Sequence, residues 1–401
     1  MISVDQAIQI VLEQTAQLPS ERVSLENALG RFLAEDIVAD SDLPPFDRSQ
    51  MDGYAVRARD TASVPARLKI AGESAAGSGW HRAMHAGQAV RIMTGAPVPA
   101  GADSVQQVEL TREIDDETVE ILEPVAEGRS IVKRATEIRA GETILRSGQR
   151  ITAAMMAVLA AFGYSEVQVG RQPKVAVLVT GSELVPVDQK PDQDQIRDSN
   201  SYSIGAYAKT IGAVVERLPL AHDDPDRLKL SIAEAADRSD VVITSGGVSM
   251  GVYDFTKAAL KELGAEIFFE RVALRPGKPT VFGKVPSGTM LFGLPGNPVS
   301  VSVTFSLFVR PSILAMQGAS EPVLKSDWAI LGRGTKGSLD RESYLPAQLT
   351  TNEQGHIVAD PLKWGGSSDF VSFAGAGALI IVPSGVKTVD AGQVVRIVRL
   401  G

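Results

Sequence analysis

Between Ser245 and Ser300 the chain alternates short apolar runs with loops rich in Gly and Pro, and this alternation limits the fold more than any other feature. The loops are Ser245-Gly246-Gly247-Val248-Ser249-Met250-Gly251, Arg275-Pro276-Gly277-Lys278-Pro279 and Leu294-Pro295-Gly296-Asn297-Pro298-Val299-Ser300. The runs are Val241-Val242-Ile243-Thr244, Thr280-Val281-Phe282 and Met290-Leu291-Phe292. Unbroken apolar runs of this length read as strands buried on both faces of a mostly parallel sheet. Open α/β sheets bind ligands at the loops leaving the carboxyl ends of their strands. Glycines there let backbone N–H groups converge into a nest that suits an anion such as phosphate.

The surrounding pattern agrees. Val175 to Thr180 is a continuous apolar strand, Asn200 to Gly212 a helix, Val214 to Leu218 a strand, and Asp224-Pro225 opens a helix to about Arg238. Helices are also predicted over Asp254 to Leu263 and from Asn297-Pro298 to about Met316. Such strand and helix alternation implies a doubly wound α/β sheet. Before it, residues 25–150 are rich in Gly, Pro and Ala with short β-like pieces, so that region reads as β-rich. After Gln317, short strands alternate with Gly-rich turns, as in a small β-barrel or sandwich. Ser3 and Gln6 form a capping box for an N-terminal amphipathic helix, and Thr152 opens a second helix that ends at Gly163.

Composition narrows the chemistry. The 401 residues imply two to four domains. There is no cysteine, which removes disulfides, thiolate metal sites and cysteine nucleophiles, and four histidines make a His-rich zinc site a poor reading. A net charge of −8 argues against nucleic acid as a partner, although a local basic cluster can still hold an anion. No signal-like N-terminus is visible and no apolar run approaches membrane-spanning length, so no membrane association and a cytoplasmic location are expected.

Two kinds of charge gather at the predicted sheet edge. Glu183 follows a strand in Thr180-Gly181-Ser182-Glu183-Leu184, and Asp198, Asp223, Asp224 and Asp254 stand at other strand ends. Asp224 and Asp254 also sit where helix caps belong. Carboxylates collected at one edge repel unless a cation joins them, and hard oxygen ligands favour Mg2+ together with substrate phosphates. Arg271, Arg275 and Lys278 flank Pro276-Gly277 and suit phosphate. Ser49-Gln50-Met51-Asp52-Gly53-Tyr54-Ala55-Val56 and Met93-Thr94-Gly95-Ala96-Pro97-Val98-Pro99 read by spacing alone as turns.

Taken in order, these six segments resemble the MoeA family of molybdopterin molybdenumtransferases, which includes the gephyrin E domain. The resemblance covers almost the whole chain. It implies α/β plus β architecture in four parts. Residues 1–24, 43–51 and 138–170 would form a discontinuous linker and dimerisation part, and 25–42 with 52–137 a β-rich inserted domain. Residues 171–317 would be a MogA-like, molybdopterin-binding α/β domain, and 318–401 a small C-terminal β-barrel.

The implied reaction inserts molybdenum from molybdate into adenylylated molybdopterin with release of AMP and help from Mg2+. The implied catalytic residues are Asp52, Glu183, Asp223 (or its neighbour Asp224) and Asp254, the last three as metal ligands. The implied substrate-binding residues are Thr94, Ser245, Gly246, Gly247, Ser249, Arg271, Arg275, Lys278, Pro295, Gly296, Asn297, Pro298 and Ser367. A homodimer with a shared site is implied, with the molybdopterin adenylyltransferase as a further partner. The chain departs from the family pattern at Gln50, Val132, Ala135-Thr136-Glu137, Arg271, Arg275 and Pro346. Those departures point to a divergent paralogue with altered metal choice or reduced activity. Two alternatives stand beside the enzyme: a non-catalytic scaffold, as in the gephyrin branch, and a molybdopterin adenylyltransferase, which shares the βαβ fold but lacks the flanking parts.

Overall fold

The computed structural model describes residues 1–220, 225–246, 261–363 and 365–400. They divide into two compact units, one of Met1–Glu35, Ser147–Met156 and Glu166–Gly401, the other of Asp36–Arg146 and Ala157–Ser165.

The larger unit contains a six-stranded sheet in the order Val214–Arg217, Lys174–Val179, Val241–Ser245, Met290–Leu294, Val281–Lys284, Glu266–Phe269. The first four strands are parallel; Lys174–Val179, Val241–Ser245 and Met290–Leu294 are almost wholly apolar and buried, as expected with helices on both faces, while the edge strand Val214–Arg217 exposes Glu216 and Arg217. The chain runs from Lys174–Val179 to Val214–Arg217 on one side and then returns to Val241–Ser245 on the other. That reversal of winding opens a crevice at the carboxyl ends of the strands. Val281–Lys284 pairs antiparallel with both its neighbours. The link from Lys284 to Met290 is too short for a crossover, and Val285 N donates to Thr289 O at 3.1 Å to close a hairpin.

In the chain the helix Asn200–Thr210 lies between Lys174–Val179 and Val214–Arg217, and Pro225–Arg238 precedes Val241–Ser245. The longest helical stretch, Pro298–Met316, is long and apolar enough to cross a membrane, contrary to the expectation from sequence, yet 83% of it is buried in the fold. Its middle, Phe305–Val309, is a π-turn in which Arg310 N–H reaches Phe305 O. Pro311 has no N–H to give and its ring crowds the carbonyl four residues back, which accounts for the widened turn before it. The N-terminal helix Val4–Gln14 carries the expected capping box, with Gln6 N donating to Ser3 Oγ at 3.1 Å and Ser3 N to Gln6 Oε1 at 3.0 Å. It adds Val4, Ala7 and Val11 to the main core.

Five strands close a small barrel in the same unit: Ser326–Leu331, Glu342–Thr351, Ile357–Pro361, Ala378–Val382 and Val394–Arg399. Closure comes from Glu342–Thr351, which is long enough to pair with both Ile357–Pro361 and Ala378–Val382. Alternate residues such as Ala329, Leu331, Leu345, Ala347, Ile380 and Ile397 fill the interior. Leu274–Arg275 pairs with Glu342 and Ser343, so a loop of the α/β part extends the barrel sheet.

The smaller unit is built on a second six-stranded sheet, ordered Ser104–Gln107, Gly53–Val56, Gln88–Ile92, Ala66–Ser74, Thr118–Ile121, Thr111–Asp115. Within it Ala135 adopts φ 59, the left-handed region, with its N–H donating to Pro44 O at 3.0 Å. A side chain there costs about 1–2 kcal/mol. Glycine relieves that strain but loses more chain entropy on folding. Ala135→Gly is therefore expected to stabilise the protein by about 0.5–1 kcal/mol. Chemical denaturation at constant denaturant slope checks this, and an unchanged or lower midpoint would contradict it.

Candidate active site

The carboxyl edge of the α/β sheet and one end of the barrel together enclose a cleft of about 1550 Å³. Three loops of the sheet reach it. Thr180 to Leu184 leaves Lys174–Val179, Ser245-Gly246 the strand Val241–Ser245, and Pro295 to Pro298 the strand Met290–Leu294. The glycines are there because these loops touch one another. A Cβ on Gly246 would lie 2.0 Å from Thr180 O, and one on Gly296 would lie 3.5 Å from the Gly246 Cα. Gly181 has the carboxylate of Glu183 folded over it, since a Cβ there would meet Glu183 Oε2 at 2.6 Å.

One amide joins the loops. Asn200 Nδ2 donates to Ser245 Oγ at 3.1 Å and to Gly296 O at 2.8 Å. Ser245 Oγ in turn donates to Pro295 O at 3.0 Å. Asn200 is 7% exposed and Thr180 3% exposed, and neither Asn200 Oδ1 nor Thr180 Oγ1 finds a partner among the described residues. Asp198 accepts from the N–H and hydroxyl of Ser201, which places its carboxylate at the start of the helix Asn200–Thr210. Glu183 makes no side-chain hydrogen bond or ion pair among the described residues, so its carboxylate stands open to the cleft.

The barrel supplies the facing wall. Gly365-Gly366-Ser367-Ser368 lines it, and Ser367 Oγ accepts from Asn297 Nδ2 at 2.8 Å while Ser367 O accepts from Val299 N at 3.1 Å. Asn297 thus caps nothing with its side chain, and its helix begins at the cleft with Pro298. Arg333, Lys336, Arg341 and Lys363 lie on the barrel side, and Arg197, Arg275 and Lys278 on the sheet side. Against these seven cations the described lining holds only the carboxylates of Glu183 and Asp198, so the cleft is strongly positive in a protein of net charge −8. Arg275 gives one N–H to Gly337 O at 3.1 Å, and Arg333 leans on Asp360 and Pro361 O. The ammonium groups of Lys278, Lys336 and Lys363 have no partner among the described residues.

The site residues expected from sequence divide as follows. Glu183, Gly246, Arg275, Lys278, Pro295, Gly296, Asn297, Pro298 and Ser367 line the one cleft, and Ser245 lies buried beneath it. Arg271 is exposed but is not among the lining residues, and its carbonyl accepts from Ile2 N at 3.3 Å. Gly247, Ser249, Asp223 and Asp254, with Asp224, lie outside the described residues. No group of three metal-ligating side chains forms among the described residues. Asp52 and Thr94 meet in the smaller unit, where Asp52 Oδ1 accepts from Thr94 N at 2.6 Å and Thr94 Oγ1 at 2.9 Å. These bonds hold the Asp52 carboxyl below the usual carboxylate range. Sequence reasoning missed Asn200 and the barrel cations. The signal for Asn200 was a polar residue in the first turn after a strand end.

Three family profiles match in order: the MoeA N-terminal region (domain I and II) over residues 2–163, a probable molybdopterin binding domain over 176–315, and the MoeA C-terminal region (domain IV) over 329–400. The molybdopterin molybdenumtransferase of Staphylococcus aureus (strain COL) is 37% identical over 401 residues, spanning 99% of this chain and 95% of that protein. The chain belongs to the MoeA family. The molybdopterin molybdenumtransferase of Bacillus subtilis (strain 168) is 36% identical over 406 residues, covering 100% of this MoeA chain and 94% of its own. A crystal structure of the molybdopterin biosynthesis MoeA protein from Pyrococcus horikoshii superposes with a TM-score of 0.83 at 33% identity, covering 100% of this chain and 99% of that one. A second, from strain OT3, gives 0.85 at 28% identity and full coverage of both. Membership places this MoeA chain in molybdenum cofactor biosynthesis as a transferase.

The contact between Gly246 and Thr180 O makes a firm prediction. Gly246→Ala must push two strand-end loops apart, so the unfolding free energy from chemical denaturation should fall by about 1–3 kcal/mol, the usual cost of overpacking a tight contact. Far-UV circular dichroism should be unchanged. An unchanged denaturation midpoint would mean the loops yield without loss.

Proposed function

We propose that this chain takes up adenylylated molybdopterin and molybdate, transfers the metal to the pterin dithiolene and releases AMP with the help of Mg2+. The observation that carries this reading is the cleft itself. One cavity joins Gly-turned loops, the start of a long helix, an open carboxylate and ammonium groups that have no partner among the described residues. Such a cavity suits a substrate that carries both phosphates and a metal.

The backbone N–H groups of the Gly-rich loops, with Arg275 and Lys278, would hold the phosphoanhydride. The helix starting at Pro298 adds its positive end. No covalent nucleophile from the chain is needed, because water can take the adenylyl phosphorus while the pterin phosphate leaves. Glu183 fits a hard cation, being a carboxylate at the edge of the cleft with no partner among the described residues. Asp223 and Asp254 would complete the ligand set. Mg2+ bound there would neutralise charge on the phosphates. A scaffold has no use for a carboxylate beside lysines that all lack partners among the described residues, which favours the enzyme over a non-catalytic relative.

The test is AMP release from adenylylated molybdopterin in the presence of molybdate and Mg2+. Glu183→Ala should lower the rate by about 100-fold or more, and its melting temperature should match the wild type. Release of AMP at the wild-type rate from Glu183→Ala would remove Glu183 from the site.

The proposal includes a homodimer in which Asp52 and Thr94 of one protomer complete the cleft of its partner, with substrate handed over by the adenylyltransferase. In support, the Asp52 carboxylate is exposed, and its bonds among the described residues are those from Thr94. Mixed Asp52→Ala and Glu183→Ala protomers should then regain part of the wild-type activity through hybrid dimers. A monomeric mass by light scattering would refute the shared site.

A further inference from the structure

Asp369 lies just past the loop that brings Ser367 into the cleft, and its carboxylate gathers that loop. Gly365 N donates to Asp369 Oδ2 at 2.8 Å, while Ser372 N donates to Oδ1 at 3.1 Å and Ser372 Oγ to Oδ2 at 2.9 Å. The chain is folded back further by Asp369 N, which donates to Gly366 O at 3.0 Å. One carboxylate therefore spans from the start of the loop to the short helix Phe370–Phe373 behind it. That helix is anchored, because Phe373 is buried in the main core.

The loop it closes is soft by composition. Gly365 and Gly366 precede Ser367, and Gly366 adopts φ 119. Glycines widen the range of shapes an untied loop can take. Yet Ser367 must meet Asn297 Nδ2 with its hydroxyl and Val299 N with its carbonyl at the same time. Both partners belong to the start of the helix that opens on the cleft.

We infer that Asp369 is a positioning residue of the site: it fixes the Gly365–Ser368 loop on the anchored helix so that Ser367 stays seated on the first turn of the helix at Pro298. The inference rests on the function proposed above for its kinetic readout, but its structural readout does not. The bonds from Gly365 and Ser372 also keep the Asp369 carboxyl below the usual carboxylate range. The carboxylate therefore stays ionised through neutral pH, and the loop loosens only on strong acidification.

Amide hydrogen exchange of the full-length protein tests the hold directly. Asp369→Ala should speed exchange by about tenfold or more at the two amides the loop protects, Val299 N–H on Ser367 O and the N–H of residue 369 on Gly366 O, with the exchange of the barrel strands unchanged. In the AMP-release assay, Asp369→Ala should raise KM for adenylylated molybdopterin by about 10- to 100-fold with kcat within about twofold. Asp369→Asn keeps an acceptor and should recover part of that loss. Adding Asp369→Ala to Ser367→Ala should cost little more than Ser367→Ala alone, since coupled residues do not add. A lower melting temperature with unchanged loop exchange and unchanged KM would reduce Asp369 to a helix cap and overturn the inference. If the wild type releases no AMP, the proposed function fails, while loop exchange still decides whether Asp369 holds the loop.

Discussion

The double hydrogen bond from one buried amide sets the geometry on which the cleft depends. Asn200 Nδ2 reaches Ser245 Oγ and Gly296 O together, and so ties the helix after the first strand to the ends of two others. A parallel sheet holds its strands side by side but leaves the loops beyond them free to splay. Here the splay is prevented from inside. Removing that donor would leave the buried Ser245 Oγ and the part-buried Gly296 O without this hydrogen bond, at a cost of up to about 1–3 kcal/mol. The close glycine contacts follow from the same constraint, since Gly246 can approach Thr180 O only without a side chain.

Charge is arranged against the average of the molecule. Acidic residues outnumber basic ones over the whole chain, yet the described lining of the cleft is mainly cationic. Elsewhere arginines are spent on carboxylates, as in Arg171 with Asp240 and Arg238 with Glu216. At the cleft Lys278, Lys336 and Lys363 are left without partners among the described residues. Charges kept unpaired in a concave site focus the field on an anionic ligand more strongly than paired ones. The barrel matters for this reason, since it contributes more of these cations than the sheet does.

Much of the fold was legible because it follows from local rules. The capping box at Ser3 and Gln6, the apolar runs at Val175 and Val241, and Pro298 at a helix start each act within a few residues. The loops at Thr180, Ser245 and Leu294 were legible as site elements for the same reason. Glycine and proline at strand ends report backbone geometry directly. The antiparallel hairpin at Val281–Lys284 was less visible. An apolar strand buried on both faces looks alike whichever way its neighbour runs.

By itself, then, the sequence determined the strand and helix series, the position of the Gly-rich loops and the family to which they belong. Only the tertiary structure decided which charges share a cavity. Arg275 and Lys278 come to it while Arg271, a few residues away, does not, because the chain between them turns to pair Leu274–Arg275 with the barrel strand at Glu342. Lys336 and Lys363 join from strands and loops that carry no motif. Local patterns report the backbone within a turn or two. Convergence of distant side chains depends on barrel closure and on how the barrel meets the sheet, and no short stretch of sequence encodes that.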